Sequence, residues 1–177
     1  MIHVTPLSRL SETLRATRAT HLVSLLSVDA PPPCPAHLDP ACCLHLAMHD
    51  ITEERPGLVA PTPEHVAALL AFARSWNRVF PLVVHCYAGI SRSTAAAYCM
   101  AAALDPTRDE RALALELRRR CPAATPNIRI VRIADEMLGR RGRMAEAIRA
   151  IGRGADACEG EPFTLPVPRR EIKRTPQ

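Results

Sequence analysis

The sequence predicts an α/β domain, a sheet covered by helices on both faces. Three observations carry that expectation. Four short apolar runs, Ile2–Leu7, His21–Val28, Cys42–Met48 and Phe80–His85, read as extended segments. Segments with helical periodicity and helical start signals follow them. The runs are nearly continuous in apolar residues, as in strands buried on both faces. At 177 residues the chain is sized for one domain.

The bulk numbers exclude several classes. With 47% hydrophobic and 23% charged residues, the chain is too apolar to be disordered. No uncharged apolar run reaches the roughly 18 residues of a membrane-spanning helix. The first residues, MIHVTPLSRLSETLR, lack the basic, apolar and small-residue regions of a signal peptide. A net charge of +5 suits an anionic substrate but is too mild and dispersed to argue for nucleic acid. Seven cysteines with no CxxC do not make a disulfide framework, and reduced thiols in a cytoplasmic compartment are expected. Oligomeric state is left open.

In chain order, Ile2–Leu7 is short and broken by Pro6, and His21–Val28 ends at the Pro-rich segment Ala30–Pro40. Cys42–Met48 ends at His49-Asp50, and Phe80–His85 precedes a glycine-containing loop. Thr62-Pro63-Glu64 starts a helix, with Thr62 as N-cap and Pro63 in the first position. Its stripe is Val66, Leu69, Leu70, Ala73 and Trp76, with Phe72 also core-facing. Ser91–Leu104 is small and apolar nearly all round, the signature of a buried central helix. Pro106–Arg120 reads as a helix with Leu113, Ala114 and Leu117 inward and Arg118–Arg120 complementing its C-terminal dipole. Asn127 caps a helix running to about Leu138, Gly139 stops it, and Arg143–Ile151 forms another. Arg118–Arg120 and Arg140, Arg141 and Arg143 read as solvated helix ends. Residues 1–152 are expected to form the domain, and 153–177 a flexible or loosely packed tail from which Phe163-Thr164-Leu165 docks as an extended segment.

The chemistry concentrates at Val84-His85-Cys86-Tyr87-Ala88-Gly89-Ile90-Ser91-Arg92-Ser93. A strand ends, a short loop follows, and a helix begins, which is where α/β sheets place anionic ligands. A helix N-terminus and a neighbouring arginine favour the thiolate form of a cysteine such as Cys86, the form that attacks. Arg92 offers a planar, permanently charged fork for two phosphate oxygens. Gly89 allows a positive φ and a close backbone approach. Ser93 is placed to hydrogen-bond the Cys86 sulfur, and His85 to fix the turn through its ring. The P-loop signature GxxxxGK[ST] is absent, so nucleotide hydrolysis has no support.

The string His-Cys-x-x-Gly-x-x-Arg-Ser resembles the signature of the cysteine-dependent protein tyrosine phosphatases. It is most similar to their compact dual-specificity branch, whose loop often ends as Ser91-Arg92-Ser93 does here. The likeness spans about residues 20 to 138 and includes the helix from Pro63, the small-residue helix after the loop, and Pro126-Asn127 opening a later one. It implies a single-domain α/β fold with a central, mainly parallel sheet of four to five strands flanked by helices on both faces. It implies Cys86 as nucleophile, a phosphate-binding loop from His85 to Arg92 (with Tyr87, Ala88, Ile90 and Ser91 at variable positions), and no metal or cofactor. It also implies a phosphorylated protein or peptide as partner.

The same resemblance asks for an aspartate some thirty to forty residues before the cysteine, to protonate the leaving oxygen. Asp50 lies 36 residues before Cys86, directly after an apolar run. Asp29 and Asp39 are alternatives, with Glu53 and Glu54 behind them. The uncharged loop positions weigh against highly charged substrates such as phosphoinositides without excluding them. A rhodanese-like sulfurtransferase also uses a loop cysteine at a helix N-terminus, but the spacing to Arg92 and the following Ser93 fit phosphate better. A binding module with no catalysis needs no nucleophile. His45 and His49 read as strand-flanking residues. Cys34, Cys42, Cys43, Cys99, Cys121 and Cys158 read as packing or surface thiols, with a redox disulfide between Cys86 and Cys42 or Cys43 a further possibility.

Overall fold

A computed structural model describes residues 1–27 and 34–168. Five strands form one sheet: β1 (Ile2–Pro6), β2 (His21–Leu26), β3 (Cys43–Ala47), β4 (Leu82–Cys86) and β5 (Phe163–Leu165). Their order is β3-β2-β4-β1-β5, with β5 antiparallel to β1 and every other pairing parallel. Among the described residues, six α-helices surround it: α1 (Leu10–Thr17), α2 (Pro63–Ser75), α3 (Arg92–Leu104), α4 (Glu110–Arg120), α5 (Ile128–Met137) and α6 (Arg143–Ile151). The expected α/β architecture, five-stranded and mainly parallel, is present.

The two faces are unequally covered. Side chains alternate along a strand, so Leu82, Val84 and Cys86 of β4 face the large core while Val83 faces away. The large core contains Trp76, Tyr98, Met100, Leu113, Val131 and Ile148, drawn from α2 through α6. The opposite face is closed by α1, with Leu10 and Leu14 packed on Leu22, Leu38 and Val83. Helix α1 is absent from the sequence-based expectation. Its apolar stripe is one i, i+4 pair, and it ends at Arg18, a non-glycine residue in the left-handed region (φ 52).

Helix α3 is completely buried from Arg92 to Ala102. Its alanines let neighbouring helices approach closely, and the buried Tyr98 hydroxyl donates to the Glu110 carbonyl at 3.0 Å. Some ends shift. Strand β4 begins after Pro81, with Phe80 exposed and its carbonyl taken by Trp76 Nε1 at 3.0 Å. Helix α4 starts at Glu110 rather than near Pro106, because Asp109 caps it by accepting from the Ala112 amide at 2.7 Å.

Two expectations are corrected. The arginines are not all solvated helix ends. Arg118 donates to the carbonyls of Ala124, Ile151, Gly152 and Arg153. Arg140 is buried and pairs with the equally buried Glu110 at 2.9 Å, with Arg143 joining the same oxygen at 3.0 Å. The expected domain boundary at 152 also moves. Gly154 donates to Thr125 Oγ1, Ala155 to the Pro122 carbonyl, and Phe163 and Leu165 enter the core beside β1. Only Phe163-Thr164-Leu165 behaves as expected, docking as a strand that covers what is otherwise the exposed edge of β1. Residues 169–177 of the expected tail lie outside the described residues, as do Val28 and Asp29.

Leu165→Ala is expected to cost about 2–5 kcal/mol in urea unfolding, the loss typical of a fully buried leucine; a loose tail would show no change. Arg140→Ala is expected to cost about 3 kcal/mol by the same measurement, because Glu110 stays buried with a single partner.

Candidate active site

Strand β4 delivers Cys86 at its carboxyl end, and α3 begins six residues later at Arg92. The loop between them is held from outside. The Tyr87 carbonyl accepts from the Leu7 amide at 2.9 Å, Ala88 from Gly160 at 2.8 Å, Ile90 from Thr125 at 3.0 Å and Ser91 from Asn127 at 3.3 Å. The described chain has no cis peptide, so each N–H lies opposite the preceding carbonyl. With those four carbonyls drawn away, the amides of Ala88, Gly89, Ser91 and Arg92 turn to the other side. Successive amides turned one way make a nest for an anion, reinforced by the α3 dipole.

Gly89 sits at φ 71 and a Cβ there would stand 2.8 Å from the Pro6 nitrogen, so both its conformation and its packing exclude a side chain. Ile90 packs against the core and Tyr87 is exposed, its ring centroid 5.4 Å from the Arg92 guanidinium carbon. Arg92 itself is only 5% exposed. Its Nη1 donates to the Met48 carbonyl at 2.7 Å, while its buried Nε has no hydrogen-bond partner among the described residues. An unsatisfied buried donor costs about 1–3 kcal/mol, which an anion in the nest would recover. Cys86 Sγ and Ser93 Oγ lie 3.1 Å apart, as the sequence suggested.

Asp50 joins this loop across the fold. Its Oδ1 accepts from Ser91 Oγ and from Asn127 Nδ2, each at 2.8 Å. Both bonds fall on one oxygen, so Oδ2 carries no hydrogen bond among the described residues. The Asp50 segment is anchored through His49, whose amide donates to the Val59 carbonyl and whose Nδ1 accepts from the Val59 amide. Arg129 fastens the far side by donating to Pro61 O at 2.7 Å and pairing with Glu54 at 2.9 Å. An open cleft of about 460 Å³ lies along this segment, lined by Glu54, Arg55, Leu58, Val59 and Arg129 among others, with no lining residue from the Cys86 loop.

Two other acid candidates are engaged elsewhere. Asp39 caps a 3-10 turn through the Ala41 amide, Glu54 is engaged with Arg129, and Asp29 is not described. A disulfide from Cys86 to Cys42 or Cys43 is corrected by topology. Cys43 opens β3 at the register of Leu22 and Val83, two strands away and at the opposite end of the sheet from Cys86.

Sequence reasoning missed several contributors. Asn127 was legible as a helix cap, and its Oδ1 does accept from the Arg129 and Ile130 amides; its second role follows from the amide nitrogen left over. The Met48 carbonyl and the Gly160 amide carry no signal in their side chains. His85 reaches Ser24 Oγ on β2 at 2.7 Å, so its ring ties two strands together.

Comparison with known proteins gives the fold. The chain is similar to the crystal structure of DUSP15 (17% identity, 84% of this chain and 90% of that one, TM-score 0.58). It is similar to the Cydia pomonella PTP-2 phosphatase (19% identity, 76% and 84% covered, TM-score 0.60) and to the Yvh1 phosphatase domain from Chaetomium thermophilum (18% identity, 81% and 93%, TM-score 0.57). No protein-family model and no curated protein matches. The chain therefore shares the fold of these phosphatase structures. No described helix is long and apolar enough to cross a membrane.

Burial, followed by the backbone of Cys86, sets the titration of His85: desolvation dominates and pushes it down from 6.5 to about 4. The unfolded chain thus takes a proton that the folded chain refuses in this window. Its contribution is complete above about 6.5 and is lost as pH falls toward 4, by up to roughly 3 kcal/mol. Urea unfolding followed from pH 7 to pH 4 is expected to show a slope that His85→Gln reduces; an unchanged slope would reject the assignment.

Proposed function

We propose that the chain is a phosphomonoesterase acting on phosphotyrosine in proteins, and also on phosphoserine or phosphothreonine, through a phosphocysteine intermediate. The observation that carries this reading is the coincidence, on one strand-loop-helix turn with Cys86, of an outward-tied loop and a buried Arg92 Nε that has no partner among the described residues. The freed loop amides and that Nε are donors of the kind that would hold a tetrahedral oxyanion.

In the proposed sequence the Cys86 thiolate attacks phosphorus in line with the departing oxygen. Arg92 and the loop amides hold the equatorial oxygens, whose charge is greatest in the transition state. Asp50 delivers its proton from Oδ2, the oxygen left unengaged by Ser91 and Asn127. The phosphorus–sulfur bond forms as the phosphorus–oxygen bond breaks. Asp50, now ionised, takes a proton from water, which attacks phosphorus and expels the thiolate. Ser93, 3.1 Å from the sulfur, stabilises that leaving group by hydrogen bonding. The site residues need no metal for either step. Seven cysteines, all free among the described residues, suit a cytoplasmic setting.

Cys86→Ser is expected to lower p-nitrophenyl phosphate turnover by about 10⁴-fold or more while retaining vanadate binding. Substantial residual turnover would remove Cys86 as nucleophile. Asp50→Ala is expected to lower the rate on phenyl phosphate by ~10²–10⁴ and much less on an activated aryl phosphate. Equal effects on both esters would take the acid role away from Asp50. A panel comparing phosphotyrosine, phosphothreonine and phosphoinositide substrates, with thiosulfate sulfur transfer alongside, separates the proposed class from its competitors.

A further inference from the structure

Outside this site, one pair of thiols lies in contact among the described residues. Cys34 Sγ donates to Cys43 Sγ at 3.2 Å, and Cys34 is exposed. Their proximity is imposed by neighbours rather than by the sulfurs. Leu38 donates its amide to the Pro35 carbonyl at 2.9 Å, making a tight turn, and buries its side chain against Leu10, Leu14 and Leu22 under α1. Asp39 caps the 3-10 turn Pro40–Cys42, which leads directly into β3. The chain from 34 to 43 thereby doubles back on itself, with Cys43 fixed in register against Leu22.

We propose that Cys34 and Cys43 form a redox modification site, a dithiol oxidised to an intramolecular disulfide by hydroperoxides, independent of the Cys86 chemistry. The exposed Cys34 is the sulfur a peroxide meets first. Burial and the neighbouring Cys34 raise Cys43 to about 12, so it stays a protonated, resolving thiol. The Cys34 thiolate attacks the peroxide O–O bond, giving the Cys34 sulfenic acid and releasing an alcohol or, from hydrogen peroxide, water. Cys43 sulfur then attacks the Cys34 sulfur, the S–O bond breaks, and the Cys43 proton leaves with the hydroxyl as water. Two thiols and one hydroperoxide become one disulfide, one alcohol or water, and one water. The new bond clips the turn that begins at Cys34 onto the edge strand β3, at the end of the sheet remote from Cys86.

The test is peroxide titration of the full chain, with peptide mapping by mass spectrometry under non-reducing conditions and thermal unfolding of the product. A crosslink between the Cys34 and Cys43 peptides is expected, retained in Cys42→Ser and in Cys86→Ser and lost in Cys34→Ser. The crosslinked Cys86→Ser protein should unfold roughly 5 °C or more above its reduced form, since the closed loop restricts the unfolded chain. A crosslink that runs to Cys42 instead, or a Cys34 that oxidises to sulfinic acid with Cys43 still reduced, would overturn the proposal. Because Cys86→Ser removes the proposed nucleophile, the readout is independent of phosphatase turnover.

Discussion

The site rests on one constraint: the carbonyls of the loop from Tyr87 to Ser91 are held from outside. Each residue of this loop carries one backbone donor and one acceptor, and left alone the loop would fold its carbonyls back onto its own amides. Bonds from Leu7, Gly160, Thr125 and Asn127 prevent that. These donors come from three separate segments, after β1, before β5 and before α5. The anion nest is therefore a property of the assembled domain. The Gly89 close approach to Pro6 belongs to the same constraint, because a side chain there would push the loop off β1.

A second coupling runs from the Asp50 segment to α5. Asn127 uses its oxygen to start α5 and its nitrogen to hold Asp50, so one side chain fixes both a helix and a carboxylate. Ser91 adds a hydroxyl from the phosphate loop to the same oxygen. The Asp50 carboxylate and the Cys86 loop are in this way registered against each other by two hydrogen bonds, while the second carboxylate oxygen accepts none among the described residues. The two His49–Val59 hydrogen bonds, one through the His49 backbone and one through its ring, close the intervening loop and limit how far Asp50 can stray.

Much of this was legible in advance. The strands β2 to β4, the cap at Thr62, the small-residue helix α3 and the span of α6 follow from local patterns whose physics is short-ranged. Cys86, Arg92, Gly89 and Ser93 were legible as a set because their spacing is fixed by one strand-loop-helix turn. Helix α1 was not, since its burial depends on Leu10 and Leu14 meeting Leu22 and Leu38 from other segments. Arg118 and Arg140 read as surface residues because a charged helix end looks the same whether water or buried carbonyls receive it.

Taken alone, the sequence determined the α/β class and the strand-loop-helix turn that carries Cys86 and Arg92. Both depend on residues close together in the chain, where dihedral preference and periodicity decide. The tertiary structure decided which carboxylate meets the loop, which thiols meet each other, and that residues 163–165 complete the sheet. Those outcomes depend on backbone donors and on contacts between distant segments, and a peptide N–H or carbonyl carries no mark in the one-letter sequence.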